Sequence, residues 1–442
     1  MLDLLFTTDA MRAIFADRAR VQRMLDFEAA LARAEAAAGV IPAAAAAAIG
    51  RCCRADAIDL ATLAAAARHA GNLAIPLVAQ LTDIVGRADA SARGYVHWGA
   101  TSQDVIDTAL VLQLRDAFRL IDADLARLAD AAAAQARKHR ATTLAGRTWL
   151  QQAAPVTLGL KLAGTLCAVE RHRLRVAAAH GRAIVLQFGG AAGTLAALGT
   201  HGIAVEKALA AELELAVPEM PWHTQRDSFC EVASVLGGIA ATLGKLARDL
   251  ALLSQTEVGE AFEPAAAGRG GSSTMPQKRN PVGAAVALSA AVRVPGLVAT
   301  MLTAGVQEHE RGLGNWPAEW DTLPEIVQLV AGALAAMADV VGGLEVDAER
   351  MRANLASSSG QILAEAVQMA LAPALGKDVA HLLVAAAAKR AAHEHRHLRD
   401  VLGEEPRVTA VLDGAALARV FEPQTYLGAT DAFIARALAQ HA

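Results

Sequence analysis

The stretch Gly268-Arg269-Gly270-Gly271-Ser272-Ser273-Thr274-Met275-Pro276-Gln277-Lys278-Arg279-Asn280-Pro281 sets hydroxyls between glycines and two cations. Three glycines permit positive φ and make the first half a hinge. A serine hydroxyl becomes a strong base only where backbone N–H groups and a cation stabilise the alkoxide. Asn280-Pro281 suits a helix start, with Asn as N-cap and Pro at the first helical position. The loop is therefore predicted to end at a helix N-terminus, whose free N–H groups and dipole favour anions. With Lys278 nearby, the segment reads as an anion site carrying a hydroxyl on a hinged lid. Its composition alone also fits an ordinary Gly/Ser surface loop.

Other segments hold candidate chemistry. His97 is followed by Thr101, Ser102 and Asp104, just ahead of a periodic helix. Arg311 lies in Gln307-Glu308-His309-Glu310-Arg311, read either as a contact from a neighbouring chain or as a solvated helix end. His393-Glu394-His395-Arg396-His397 matches the HExxH pattern, in which two histidines at i and i+4 hold zinc. It sits in a charged stretch without a persuasive third ligand, so a solvated helix face is expected there and no metal. Gly189-Gly190-Ala191-Ala192-Gly193-Thr194 lacks the Lys-Ser/Thr of a phosphate loop and a preceding strand pattern, and reads as a helix junction.

These residues must be positioned by helices. The 442 residues carry 41 Lys+Arg against 45 Asp+Glu, a net charge of −4, which excludes a strongly basic nucleic-acid binder and an acidic disordered chain. Hydrophobic residues make up 54% but aromatics only 4%, so an alanine-rich core of closely packed helices is expected. From Phe229 the apolar positions run Val232, Leu236, Ile239, Leu243, Leu246, Leu250 and Leu253, a 3.5-residue repeat that predicts a long rod over 226–258. A second such run is Leu110, Leu114, Ala117, Ile121, Leu125 and Leu128; a third helix follows Pro155 and a fourth begins at Pro281. No alternating strand runs stand out. Rods of this length with small apolar faces call for packing against other subunits. Punctuation divides the chain into 1–100, 101–350 and 351–442. Four cysteines, two adjacent, fit a reducing compartment. The N-terminus lacks a basic leader, and the longest uncharged stretch is too glycine-rich for a membrane span, so a soluble cytoplasmic protein is expected.

The run from Gly271 to Pro281 resembles the signature loop of the fumarase/aspartase superfamily. Val96-His97-Trp98-Gly99-Ala100-Thr101-Ser102-Gln103-Asp104 resembles that family's first region. Gly146-Arg147-Thr148-Trp149-Leu150-Gln151-Gln152-Ala153-Ala154-Pro155 resembles its second, and Phe188 to Thr194 its glycine-rich junction. Glu422-Pro423 to Tyr426-Leu427-Gly428 resembles its C-terminal motif. The resemblance spans almost the whole chain. It implies an all-α protein of three domains, a homotetramer on a bundle of long central helices, and active sites shared by three chains. It implies proton transfer at carbon beside a carboxylate, through an aci-carboxylate, without cofactor. By resemblance Ser272 is the general acid or base. Lys278 and Asn280 hold one substrate carboxylate and Thr101 and Ser102 another; His97 binds substrate or transfers a proton, and Gln151 and Arg311 complete the site.

Two departures narrow the chemistry. The second region of most lyases of the group reads GRTH, and that histidine pairs with a Glu five residues after the signature Asn. Here the positions are Trp149 and Ala285. Losing both halves of a charge pair looks like one coordinated change. Amine and hydroxide leaving groups need a proton, whereas a carboxylate, with a conjugate-acid pKa of about 4, does not. The departures, with Arg311-Gly312-Leu313-Gly314-Asn315-Trp316, resemble the lactonising branch of the superfamily. There a carboxylate of a linear diene tricarboxylate adds to its own double bond. The alternative is a C–N lyase acting on a succinyl-amine. Trp149 is expected to fill the space of the missing imidazole.

Overall fold

The computed structural model describes residues 2–266 and 268–441. The fold is dominated by helices, as the alanine-rich composition requires. The helices used below are α1 (Asp17–Ala37), α2 (Ser102–Lys138), α3 (Leu158–Ala183), α4 (Gly202–Leu213), α5 (Asp227–Leu253), α6 (Val282–Ala304) and α7 (Asn315–Gly342). They are followed by α8 (Lys377–His393) and α9 (Leu398–Gly403). The rod α5 has 27 residues, about 40 Å at 1.5 Å per residue, and stops short of the 258 expected. All eight positions of its 3.5-residue repeat are buried, as are the six of the α2 run.

Backbone contacts group the chain into two compact units. The first holds residues up to Leu125, His172–Leu243 and Val286–Ala335; the second holds Ala126–Arg171, Gly244–Ala285 and the chain from Ala336 onward. The boundaries fall inside α2, α3, α5, α6 and α7.

The first unit is pinned by a buried ion triad. Arg226, fully buried one residue before α5, forks onto Asp107 of α2 and Glu319 of α7, and its guanidinium lies 4.8 Å from the Trp222 ring centroid. Trp316 Nε1 and Gln103 Nε2 donate to Asp107, and Gln307 Nε2 donates to Glu319. Burial pushes the Glu319 carboxyl up, against the pull of Arg226. Removing one member of such a cluster costs about 3–5 kcal/mol, because the rest is left charged and dry.

Strands are few but not absent. Thr143–Thr148 (β1) and Gln151–Thr157 (β2) pair antiparallel as a hairpin, and Ala261–Phe262 (β3) pairs with Glu345–Val346 (β4). The second-region motif thus lies on a hairpin, which the sequence did not announce, since alternation there is weak and Trp-Leu is not a turn pair. Among the described residues three helices, Asp227–Leu253, Val282–Ala304 and Asn315–Gly342, are long and apolar enough to cross a membrane by length and composition alone. The repeat of α5, however, is buried against protein. α6 keeps much of its apolar surface outward, with Val292 78% and Leu302 52% exposed.

The HExxH stretch is not one helix face. His393 ends α8, His395 has φ 52°, and His397 caps α9 by accepting from Arg399 N. The two histidines therefore do not share the i, i+4 ridge a zinc helix needs, and Glu394 is ion-paired with Arg390 and Arg396.

Candidate active site

In the first unit the site is organised around Asp104, in the opening turn of α2 and fully buried. Its Oδ2 accepts from Thr101 N at 3.0 Å and Gly190 N at 2.9 Å; its Oδ1 accepts from Gly189 N at 3.0 Å and from the His223 ring at 2.8 Å. One carboxylate thus ties the Thr101-Ser102 segment to the glycine-rich junction. The glycines are demanded by contact. A Cβ on Gly189 would lie 2.8 Å from the His223 ring, and one on Gly99, at φ 73°, would lie 2.8 Å from Leu198. The junction follows α3 and leads to α4, as read from the sequence, and binds a carboxylate side chain rather than a phosphate.

Arg311 joins this group. Its Nε donates to Gln103 Oε1 at 3.1 Å and an Nη to the Ala191 carbonyl at 3.1 Å, while Gln103 Nε2 reaches both Asp107 and the His223 carbonyl. Within its own unit Arg311 therefore packs beside the Thr101-Ser102-Gln103 turn, rather than standing on a solvated helix end. His97, at φ 58°, is turned toward α1, where its Nδ1 meets Glu28 Oε1 at 2.6 Å. Burial alone would lower the His97 imidazole, but Glu28, with a smaller contribution from Asp104, holds it above its ordinary value.

The second unit holds the other candidates. The hairpin closes on Thr148 and Gln151, with Trp149 at φ 53° and Leu150 at φ 63° as its two turn residues. Two large non-glycine residues at positive φ are a strained turn of the type found at functional sites. Trp149 is 98% exposed, so within this chain it fills no vacated space; the packing role expected for it is not met here. Gln151, first in β2, is exposed beside it. The hairpin is fixed near its turn by Arg147, which forks onto the buried carboxylate of Glu260 at 2.9 and 2.7 Å, where Asn354 Nδ2 also donates.

Three residues beyond Glu260, Glu263 governs the signature loop. Its carboxylate accepts from Gly283 N and Ala284 N, the first-turn amides of α6, at 3.0 and 2.7 Å. The helix N-terminus expected to receive an anion is thus already filled by this side chain, and Glu263, not Asn280, is its cap. Asn280 N instead donates to Gly270 O at 2.8 Å and closes the neck of the loop. Between these ends Ser272 is half-buried, and its Oγ accepts from Met275 N at 3.1 Å. Arg279 pairs with Glu345 at 2.8 Å and donates to the Glu263 carbonyl, while Lys278 is exposed. Of the two cations, then, Arg279 is engaged in holding the loop down and Lys278 is the one offered outward.

The sequence thus identified the segments, and the fold collects His97, Thr101, Ser102 and Arg311 in one unit and Trp149, Gln151, Ser272, Lys278 and Asn280 in the other. It missed Glu28, His223, Glu260 and Glu263, which act through others and carry no local motif.

Comparisons with known proteins place the chain in a family. The family model described as Lyase matches residues 5–296, and that described as Adenylosuccinate lyase C-terminus matches 360–437. The chain belongs to the lyase family of the fumarase/aspartase superfamily. It is 58% identical to a 3-carboxy-cis,cis-muconate cycloisomerase of Pseudomonas aeruginosa over 441 residues, covering 100% of this chain and 96% of that protein. A protein of the same name from Bradyrhizobium diazoefficiens is 55% identical, over 99% of this chain and 97% of that one. The solved 3-carboxy-cis,cis-muconate lactonizing enzyme of Pseudomonas putida superposes with a TM-score of 0.96 at 56% identity, covering 100% of this chain and 98% of that chain.

Proposed function

We propose that the protein is an enzyme that cyclises 3-carboxy-cis,cis-muconate to 4-carboxymuconolactone, the lactonising step of protocatechuate breakdown. One substrate carboxylate forms a C–O bond to an alkene carbon. The π electrons move to the neighbouring carbon, where the carbanion is held as an aci-carboxylate. Ser272 gives that carbon one proton and regains it from solvent. No atom leaves, and the reaction consumes no redox equivalent, so it calls for no cofactor. Lys278 and Asn280 hold one carboxylate, Thr101 and Ser102 another, with His97, Gln151, Arg311 and Trp149 lining the site.

The observation that carries this reading is the pair of departures at Trp149 and Ala285. The general acid that serves an amine leaving group has been replaced by an indole at a strained turn, and its partner position by alanine. The full-length similarity to cycloisomerases favours the same choice over a C–N lyase that releases fumarate from argininosuccinate or adenylosuccinate. The outward apolar face of α6 and the bare Trp149 support packing against further copies of the chain, which we read as a homotetramer in which three chains build each site; the cytoplasmic location is proposed from the sequence alone. The test is turnover in D2O. The expected product is the lactone carrying one deuterium on the carbon that was protonated; recovery of unchanged muconate would overturn the reading.

A further inference from the structure

Among the site residues His97 has an unusual support. Glu28 is 1% exposed on α1, and its Oε1 lies 2.6 Å from His97 Nδ1 across 69 residues of chain. Among the described residues its second oxygen, Oε2, accepts no hydrogen bond. A carboxylate oxygen can only accept, so the contact places the proton on Nδ1. The ring keeps 18% of its side-chain surface exposed, so it is not sealed into the core.

The charges around this pair are few. Asp104 of α2 also faces His97, but its oxygens are already spent on the Thr101, Gly189 and Gly190 amides and on His223. Glu35, two turns along the same face of α1, is fully buried; burial, with Glu28 nearby, raises its carboxyl to about 9, which keeps it neutral. Burial likewise pushes the Cys53 thiol up. Glu28 is therefore the carboxylate of this neighbourhood committed to His97.

We propose that Glu28 is a positioning residue: its carboxylate anchors Nδ1–H, fixes the plane of the His97 ring and favours the protonated ring over the neutral one, so that Nε2–H is offered to one carboxylate of the substrate. Under this arrangement His97 binds an anion and does not deliver the proton, leaving that step to Ser272. The inference rests on the proposed function for its substrate and on the structure alone for the Glu28–His97 linkage.

The two parts are tested separately. NMR titration of the His97 ring, assigned by its disappearance in His97→Gln, should show wild-type His97 titrating above the ordinary histidine value of about 6.5. In Glu28→Gln the titration should move down by about one pH unit or more. A wild-type value at or below 6.5, or no movement in Glu28→Gln, overturns the linkage. In steady state at pH 8, Glu28→Gln should raise KM for 3-carboxy-cis,cis-muconate about tenfold with kcat nearly unchanged, and Glu28→Asp should restore part of it. A fall in kcat at constant KM would instead make His97 a proton carrier. Absence of muconate turnover in the wild type would sink the substrate assignment while leaving the titration result standing.

Discussion

Asp104 and His223 meet at 2.8 Å in the buried interior of the first unit, carboxylate Oδ1 against ring Nε2. Because the carboxylate can only accept, Nε2 carries the proton. The remaining lone pairs of Asp104 hold three backbone amides from two separated segments, residues 101 and 189–190. This buried anion, closed off from solvent, sets the geometry of the Thr101-Ser102 turn.

Asp104→Ala should therefore destabilise the fold and not merely weaken binding. Three amides and a ring lose their acceptor, and a buried unsatisfied donor costs about 1–3 kcal/mol. The expected loss is about 3 kcal/mol or more, read as a lower denaturant midpoint at unchanged slope. Unaltered stability would show that water replaces the carboxylate and that the junction does not depend on it.

Ser272→Ala removes the hydroxyl proposed as the proton donor from a half-buried loop position. Loss of one positioned acid typically costs 10²–10⁴-fold in rate, and about 10³-fold is expected here in kcat with normal circular dichroism and melting. Retained turnover would transfer the proton step to another residue.

Gly270 closes the loop neck at φ 63°, and a Cβ there would lie 2.4 Å from the Asn280 carbonyl. Gly270→Ala must shift the neck and with it Ser272. A displacement of about 1 Å can cost about 10²-fold in rate. The loop is largely exposed, so the melting temperature should hardly move; equal losses of stability and rate would contradict a local effect.

Glu35 predicts a stability slope with pH. Its folded value, about 9, lies above the ordinary carboxyl value of 4.5. Below pH 4.5 the group is protonated in both states and imposes no penalty. Between pH 4.5 and 9 the unfolded chain releases this proton while the folded chain keeps it, so its contribution falls as pH rises and levels off above 9. Glu35→Gln should flatten this part of the stability profile between pH 5 and 9. A profile identical to wild type would mean that Glu35 ionises within the fold.

Much of this was legible because helices declare themselves through spacing. The eight apolar positions from Phe229 to Leu253 are all buried, and the segments bearing His97, Ser272 and Arg311 stand out by residue type and spacing. The hairpin was not legible. β1 and β2 are held by Arg147 on a Glu260 more than a hundred residues away and turn on Trp149-Leu150 against local preference, so tertiary contacts override propensity. The same blindness to long-range partners hid Glu263, whose capping of α6 removes the anion site suggested by Asn280-Pro281. Glu28 and His223 stood in unremarkable helical and loop sequence, and only the fold brings them to His97 and Asp104.

The proposed reaction is an addition whose oxygen needs no proton. The most direct measurement compares kcat/KM for 3-carboxy-cis,cis-muconate, followed by loss of diene absorbance, with that for argininosuccinate and adenylosuccinate, followed by fumarate release. Rapid loss of the diene with no detectable fumarate is the result expected. Release of fumarate from either succinyl-amine, with the muconate left intact, would contradict it.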